Sequence, residues 1–323
     1  MDFSLNKITP DSTQKEQEHV RVLILGAGPA GLSAAVYAAR AELSPVVLTG
    51  ISFGGQAALT NTIENYPGFP DGVGGTQLGE LIKAQAEHFG ASIVYDSAMS
   101  VDLSHRPFSI KTYSKEYLAD ALIIATGASP NLLNIAGEKE FTGKGVSYCA
   151  TCDGWFFKNK DIVVVGGGDS ALEEGIFLTR FGSSVTIVHR REALRAGVLL
   201  QKRAQENPKI KFVLNTIPLD IEGTDKVNGL KVKNVLTQEE TVLKGDGVFI
   251  FIGSTPQTQL FKDQLEMDSH GYLILKNQME TSVPGVFAAG EAADSIYRQV
   301  VTSTGMGAAA AIQATKFLEN DEK

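Results

Sequence analysis

Residues 20–40, VRVLILGAGPAGLSAAVYAAR, run from an apolar, β-rich stretch through a glycine turn into a helix of small residues. Residues 161–180, DIVVVGGGDSALEEGIFLTR, repeat this order. Both turns have small residues at the spacing GxGxx(G/A), which are Gly26, Gly28 and Gly31 in the first copy and Gly166, Gly168 and Ala171 in the second. Glycine permits the tight turn and lets backbone N–H groups approach a pyrophosphate at the positive end of the following helix. The repeat therefore predicts two Rossmann-like, dinucleotide-binding units.

An apolar strand that ends at a glycine closes each copy, in ADALIIATGASP (119–130) and in GDGVFIFIGSTP (245–256). A third segment, 282–318, has another such strand, VFAAG, and an alanine-rich helix. The simplest architecture is an α/β fold in which the second unit is inserted into a discontinuous first one. The predicted division is a polar lead-in over 1–19, an outer domain over 20–129 and 257–323, and an inner domain over 130–256.

The composition narrows the class of protein. Of 323 residues, 43% are hydrophobic and 20% are charged, which is typical of a soluble globular protein. The net charge of −8 argues against a nucleic-acid partner, since a protein that binds nucleic acid usually has a basic face. No apolar run approaches the ~20 residues of a membrane span, and the N-terminus lacks the features of a secretory signal. The expected location is the cytoplasm.

The residues after the second strand of each unit indicate which dinucleotide it binds. An NAD site has an acid there, but the first unit has SPVVLTG (44–50). The second unit has SSVTIVHRRE (183–192), with a further arginine at 195. Cations in place of the acid predict an additional ribose phosphate, and therefore NADPH. The first unit is left for a second dinucleotide, and FAD is the candidate.

Cys149 and Cys152, in SYCATCDGWF (147–156), are the chain's only cysteines. Two cysteines cannot by themselves complete a four-ligand zinc site, so no metal is predicted. A protein that moves a hydride from NADPH to FAD must pass two electrons to another group. A CxxC pair can close to a disulfide and open again, so we interpret it as the next electron carrier.

The motifs GAGPAG, ATG, CATCDG, GGGDSA, HRRxxxR and AAGE…YRQ occur here in one order. Over residues 20–318 the chain resembles the low-molecular-weight thioredoxin reductases. The resemblance implies a homodimeric flavoprotein that uses NADPH to reduce thioredoxin. It also implies that the NADPH domain rotates between two orientations, and TGASPN (126–131) and GSTPQT (253–258) are the expected hinges.

The resemblance assigns site residues position by position. The implied FAD site comprises Gly26, Ala27, Gly28, Pro29, Ala30, Gly31, Gly55, Gln56, Asn65, Glu291, Arg298, Gln299 and Val300. The implied NADPH site comprises Gly167, Gly168, Asp169, Ser170, His189, Arg190, Arg191 and Arg195. The implied catalytic residues are Cys152, which faces the flavin, Cys149, which attacks the substrate disulfide, and Asp153, an acid–base group.

Asp153 needs a raised pKa for that role, which partial desolvation could supply; the alternative is that it only caps a turn. Trp155 and Phe156 follow the redox motif and either form a docking surface for thioredoxin, with Lys144 at its rim, or belong to the core.

The chain departs from the family pattern at three positions. Glu291 stands where the family usually has Asp, and Trp155 where it mostly has Phe. Asp169 stands where it usually has Asn, and its negative charge near a pyrophosphate is unexpected. We interpret these changes as tuning the activity.

Other functions share this fold. The flavin component of a peroxide-reducing system would normally have an N-terminal thioredoxin-like domain, for which the residues before position 20 leave no room. Another small redoxin could replace thioredoxin as the substrate. A ferredoxin- or flavodoxin-type reductase would not require CATCDG, and a dithiol oxidase could lack HRRxxxR. A redox sensor that binds flavin and NADPH without turnover is the non-enzymatic alternative.

Overall fold

The computed structural model describes residues 16–60 and 62–321. In that part of the chain the helices are α1 (Pro29–Arg40), α2 (Gly75–His88), α3 (Ala150–Asp153), α4 (Asp169–Leu178), α5 (Val198–Gln205) and α6 (Val300–Asp321). Short 3-10 helices cover Gly55–Leu59, Gly154–Phe157, Gln259–Phe261 and Gly290–Ala292.

The strands in the same residues are β1 (Gln17–Leu25), β2 (Val46–Leu48), β3 (Ser92–Val94), β4 (Ala98–Asp102), β5 (Phe108–Thr112), β6 (Glu116–Ile124), β7 (Ala128–Pro130), β8 (Val146–Ser147), β9 (Asp161–Gly166), β10 (Ser184–Val188), β11 (Ile210–Val213), β12 (Thr216–Gly223), β13 (Val227–Asn234), β14 (Glu240–Lys244), β15 (Gly247–Phe251), β16 (Ser254–Pro256) and β17 (Val286–Ala288).

The chain divides into two compact units. Unit 1 comprises Met1–Gly55, Glu80–Gly127 and Thr258–Lys323, and unit 2 comprises Gln56–Gly79 and Ala128–Gln257. The insertion of one α/β unit into another is confirmed. The segment 56–79, however, groups with unit 2, although the sequence predicts an outer domain that is continuous from 20 to 129. The predicted assignment of one cofactor to each domain stays a prediction.

Unit 1 is built on a seven-stranded sheet of order β3-β2-β1-β6-β5-β4, with β17 paired to β6. Its β1, β2, β3, β6 and β17 are parallel, and β4 and β5 form an antiparallel edge. Alternate residues of β1 point to opposite faces. Val22 and Ile24 pack with the alanines of α1 and α6, whereas Leu23 and Leu25 join the cluster on the other face.

Close packing of α1 and α6 explains the small residues in both helices. A Cβ on Gly307 of α6 would lie only 2.0 Å from the Ala30 carbonyl oxygen. Both Ala30 and Gly307 are buried. The alanine-rich composition of α6 therefore lets this 22-residue helix lie directly against α1.

Unit 2 has a parallel five-stranded sheet of order β11-β10-β9-β15-β8. One face of the central β9 packs on α4, where Val164 contacts the cluster that contains Ala171 and Leu172. The other face, with Val163 and Val165, packs with residues of the antiparallel sheet β12-β13-β14. A third sheet pairs β7 with β16.

The N-terminal strand begins at Gln17, earlier than the predicted start at residue 20. Residues 17–19 extend β1 because they pair with Glu116–Leu118 of β6. Side chains add to this pairing, since Gln17 Nε2 donates to Glu116 Oε2 at 2.8 Å and His19 Nε2 lies 2.9 Å from Asp120 Oδ1. Residues 1–15 of the predicted lead-in lie outside the described residues.

Candidate active site

Cys149 and Cys152 form a disulfide at the start of α3, directly after β8. Their Cα atoms are 5.3 Å apart. Cys149 is the N-cap of α3, and its Sγ accepts a hydrogen bond from Cys152 N at 3.1 Å. Thr151 Oγ1 lies 3.4 Å from the same sulfur. Polar groups around Cys149 Sγ favour a thiolate there once the disulfide is reduced.

Asp153 follows the disulfide, and burial raises the pKa of its carboxyl. Ser147, itself buried, donates a hydrogen bond from its hydroxyl to Asp153 Oδ2 at 2.6 Å, which partly offsets that rise. The Ser147 hydroxyl also accepts from Cys149 N at 3.1 Å. One hydroxyl thus connects the carboxyl to the backbone of the first cysteine. These contacts combine a raised pKa with proximity to the disulfide, as an acid–base role requires.

A second carboxylate, that of Glu138, is hydrogen-bonded to the residue immediately before the disulfide. Glu138 is 3% exposed and accepts from Leu133 N at 2.9 Å, Asn134 N at 2.7 Å and the Tyr148 hydroxyl at 3.0 Å. Burial, together with the negative charge of Glu138, raises the pKa of Tyr148 to about 12. Tyr148 therefore stays a neutral donor and fixes the backbone immediately before Cys149.

The first glycine turn brings together the predicted FAD residues from Gly26 to Gly31 and Gly55. Gly26 has φ +108°, and a Cβ on it would lie 2.3 Å from the Ala125 carbonyl oxygen. A Cβ on Gly28, by contrast, would meet only Gly55 Cα, at 3.8 Å. Gly28 is the N-cap of α1, and it provides no side-chain cap for the backbone amides that begin this helix. Such a cradle suits a pyrophosphate.

Two further groups near this turn fit a polar cofactor. Thr126 Oγ1 is buried and has no hydrogen-bond partner among the described residues. Burial raises the pKa of Glu291, and the positive charge of Arg298 partly offsets the rise. The half-buried carboxyl of Glu291 can accept a hydroxyl hydrogen bond, as expected for this position in a flavin site.

The segment after Glu291 is shaped by a residue that sequence reasoning did not single out. Asp294 is buried, and its carboxylate accepts from the backbone N–H groups of Ile296, Tyr297 and Arg298. Arg298 adopts φ +50° and donates from Nη2 to the Tyr272 hydroxyl at 3.3 Å. Gln299 follows, and Val300 begins α6. Gln56 and Asn65, predicted for the same cofactor, belong to the segment 56–79 of unit 2.

The second glycine turn packs directly on the histidine of the predicted NADPH site. A Cβ on Gly167 would lie 2.2 Å from His189 Nδ1. Burial lowers the pKa of His189, and the positive charge of Arg195 acts in the same direction. Its Nε2 is buried without a hydrogen-bond partner among the described residues.

Arg190, Arg191 and Arg195 are exposed, as is Ser170 at the start of α4. Gly168 is the N-cap of α4 without a side-chain cap, so the amides that begin this helix are open to a ligand. An open helix N-terminus beside exposed guanidinium groups fits a phosphate-bearing nucleotide.

Trp155 is 56% exposed and Phe156 is 44% exposed, whereas their neighbours Gly154 and Phe157 are buried. The Trp155 ring packs edge-to-face on Phe181, with centroids 6.1 Å apart, and Lys158 Nζ lies 5.2 Å from its centroid. Lys144 is also exposed. The aromatic pair beside the disulfide is therefore anchored at one edge and otherwise open to solvent.

Sequence reasoning missed Ser147, Glu138 and Asp294. One weak signal could have indicated the contact between Ser147 and Asp153. These two residues flank a short helix whose N-cap is Cys149. Glu138 carries no such signal, because its partners are backbone groups of a nonperiodic loop and a tyrosine ten residues later.

Residues 16–60 and 62–321 contain neither a membrane-spanning helix nor a cluster of potential metal ligands. No helix in them combines the length and the apolar character that crossing a bilayer requires. No three or more His, Cys, Asp or Glu side chains in them are placed together to hold a metal ion.

Comparison with known proteins gives a consistent result. Residues 20–307 match the family described as pyridine nucleotide-disulphide oxidoreductase. A thioredoxin reductase from Rickettsia felis is 50% identical over 303 residues, which cover 92% of this chain and 98% of that protein.

Solved structures agree with the sequence match. The thioredoxin reductase from Streptococcus pyogenes superposes with a TM-score of 0.90 at 41% identity, over 94% of this chain and 99% of that one. The thioredoxin reductase from Giardia duodenalis gives a TM-score of 0.89 at 42% identity, over 94% and 100% of the two chains.

Proposed function

Because the chain belongs to the pyridine nucleotide-disulphide oxidoreductase family, and within it to the low-molecular-weight thioredoxin reductases, we propose that it reduces thioredoxin. In this proposal two electrons pass from NADPH through FAD to the Cys149–Cys152 disulfide and from there to thioredoxin. The observation that carries the proposal is the disulfide itself, with an N–H hydrogen bond on Cys149 Sγ and a half-buried carboxyl at Asp153 whose pKa is raised.

The geometry of the glycine turns supports our assignment of the residues that would hold the two cofactors. FAD would bind at the turn from Gly26 to Gly31, with Glu291 and Arg298 as further contacts. NADPH would bind at Gly168 and the N-terminus of α4, where His189 and the exposed arginines meet its 2′-phosphate. A flavin bound there would supply the two electrons that reduce the disulfide.

The chain's own sulfur atoms perform the second half of the reaction. Two electrons and two protons convert the Cys149–Cys152 disulfide into two thiols. The Cys149 thiolate then attacks one sulfur of the thioredoxin disulfide, whose S–S bond breaks as a mixed disulfide forms. The leaving thiolate takes up a proton. The Cys152 thiolate attacks Cys149 Sγ, which restores the disulfide and expels the second thioredoxin sulfur as a thiolate. Uptake of a second proton by that thiolate completes the thioredoxin dithiol.

Asp153 would manage the proton of Cys152 during both steps. Its raised pKa lets it hold a proton at a pH where an ordinary aspartic acid would not. Ser147 keeps the carboxyl in place. Trp155 and Phe156 would form the docking surface for thioredoxin, because exposed aromatic side chains are effective anchors at protein interfaces.

Three finer elements belong to the proposal. The chain acts as a homodimer in the cytoplasm, in keeping with its resemblance to the low-molecular-weight thioredoxin reductases. The units change orientation between the two half-reactions, because one dithiol must exchange electrons with a flavin and with a protein partner. We propose thioredoxin as the substrate in preference to another small redoxin.

Steady-state oxidation of NADPH by the flavin-loaded protein tests the function. We expect continuous turnover with thioredoxin, and none when Cys149 and Cys152 are both replaced by Ser. Glu140→Gln, an exposed change in unit 2, serves as the control and should retain turnover. Undiminished thioredoxin reduction by the double variant would refute the proposal. A second assay uses a small aromatic disulfide as the substrate, and a single stoichiometric reduction that then stops would indicate a sensor. Faster turnover with another small redoxin than with thioredoxin would reassign the protein substrate.

A further inference from the structure

Consecutive backbone groups join the second glycine turn to the basic segment after β10. The N–H groups of Arg195 and Ala196 both donate to the Gly167 carbonyl oxygen, at 2.7 and 3.1 Å. The next N–H, that of Gly197, donates to Asp169 Oδ1 at 2.7 Å. Three successive donors therefore end on the turn that begins α4, and the third is accepted by a side chain.

These hydrogen bonds bring a guanidinium group close to the N-terminus of α4. A Cβ on Gly168, the N-cap residue, would lie 3.9 Å from Arg195 Nη2. A Cβ on Gly197 would lie 3.6 Å from Asp169 Oδ1. The Asp169 carboxylate is thus engaged by the segment that carries Arg195.

The basic segment needs such a restraint. Between β10 and α5, residues 189–197 form neither helix nor strand, and Arg190, Arg191 and Arg195 are exposed. Arginine recognises phosphate through a planar fork whose orientation matters. If the backbone that carries the guanidinium group is mobile, part of the binding free energy is used to order that backbone.

We propose that Asp169 is a positioning residue for nucleotide selectivity, which holds the Arg195–Gly197 segment on the glycine turn so that the arginines can bind the 2′-phosphate of NADPH. The inference rests on the proposed function, since it requires the phosphate to bind at this segment. It also gives a physical role to a residue whose charge is unexpected beside a pyrophosphate.

Two substitutions distinguish a positioning role of Asp169 from charge repulsion, because the two hypotheses predict opposite changes in NADP⁺ affinity. Asp169→Asn removes the charge but keeps an Oδ1 that can accept the Gly197 N–H. Asp169→Ala removes both. If repulsion of phosphate were the main effect of the carboxylate, both variants would bind NADP⁺ more tightly. If positioning is the main effect, only Asp169→Ala weakens binding, and Asp169→Asn rescues it.

Isothermal titration calorimetry on the flavin-loaded protein measures the effect without turnover. The ligands are NADP⁺, NAD⁺ and adenosine 2′,5′-bisphosphate, which carries the ribose phosphate without the nicotinamide. Asp246→Ala is the matched control, because the Asp246 carboxylate also accepts a backbone hydrogen bond in unit 2, from Asp161 N at 3.2 Å.

We expect Asp169→Ala to bind NADP⁺ and the bisphosphate about five- to tenfold more weakly, as for the loss of one ordinary hydrogen bond. NAD⁺ binding should change less than about twofold, and both Asp169→Asn and the control should resemble the unaltered protein. Equal losses for NAD⁺ and NADP⁺, or unchanged NADP⁺ binding, would overturn the inference. An unaltered protein that does not prefer NADP⁺ would refute the nucleotide assignment and this inference with it, before any variant is compared.

Discussion

At the scale of single residues, the site depends on a hydrogen bond between two side chains that flank the disulfide. Burial raises the pKa of Asp153, and the hydrogen bond donated by Ser147 lowers it again in part. Removing that donor leaves the desolvation of the carboxyl in place and takes away the group that stabilises its charged form. Ser147 therefore tunes the pH at which Asp153 exchanges a proton.

We expect Ser147→Ala to move the limb of the pH–rate profile that belongs to Asp153 to higher pH. The limb is identified by its absence in Asp153→Asn, and the rate of thioredoxin reduction is measured from acidic to alkaline pH. Ser183→Ala is the matched control, since the Ser183 hydroxyl donates to Asp161 Oδ1 at 2.7 Å in the same unit. A limb that disappears in Asp153→Asn but stays in place in Ser147→Ala would contradict this role of Ser147.

The residues that could be predicted from the sequence are those whose role depends on local spacing. The glycines of both turns and the CxxC pair are local patterns, and the structure gives them the expected turn and disulfide. Glu138 and Asp294 could not be predicted, because they act by satisfying backbone N–H groups of irregular loops. Their partners depend on how each loop folds back, which no periodic pattern records.

At the scale of secondary-structure elements, α6 contains two glycines in opposite environments, and only one of them is required by packing. Gly307 is buried against α1, where a Cβ would lie 2.0 Å from the Ala30 carbonyl oxygen. Gly305 is exposed in the same helix, and a Cβ on it would meet no atom within 4 Å. Backbone cannot move aside as a flexible side chain can, so the first position requires glycine.

Alanine substitutions at these two positions should change stability in opposite directions. Gly307→Ala should lower the free energy of unfolding of unit 1 by about 1–3 kcal/mol, as overpacking does, and weaken flavin retention. Gly305→Ala should raise it by about 0.5–1 kcal/mol, because alanine has the higher helix propensity. The measurement is denaturant-induced release of flavin fluorescence. Equal effects of the two substitutions would show that α1 and α6 do not pack as closely as described.

Element bounds illustrate the limit of pattern reasoning at this scale. The closing strands and the alanine-rich helix occur where their apolar runs predict them, as β6, β15, β17 and α6. The membership of 56–79 in unit 2 could not be predicted, because it depends on contacts between segments far apart in sequence.

At the scale of the whole molecule, the two segments predicted as hinges pair with each other. β7 and β16 are antiparallel, with Ser129 opposite Thr255, and the Thr255 hydroxyl donates to Asn131 Oδ1 at 2.7 Å. The boundaries between the units fall at the ends of this ladder, after Gly127 and after Gln257. The ladder itself belongs to unit 2, so we expect the proposed change of orientation to concentrate on the few residues at its ends.

Gly127 is the candidate pivot, because it has φ +71° and a Cβ on it would meet no atom within 4 Å. Valine is strained at positive φ, so Gly127→Val should penalise any conformation that needs this backbone and slow the exchange between half-reactions. We expect turnover from NADPH to thioredoxin to fall about tenfold, as for a shift of about 1.4 kcal/mol, while FAD and NADP⁺ binding stay within about twofold. Gly90→Val is the matched control, since Gly90 has φ +97° and equally open surroundings away from the crossings. If both variants turned over at the same rate, backbone strain at Gly127 would not limit the reaction, and the pivot would have to be sought at Gln257 and Thr258.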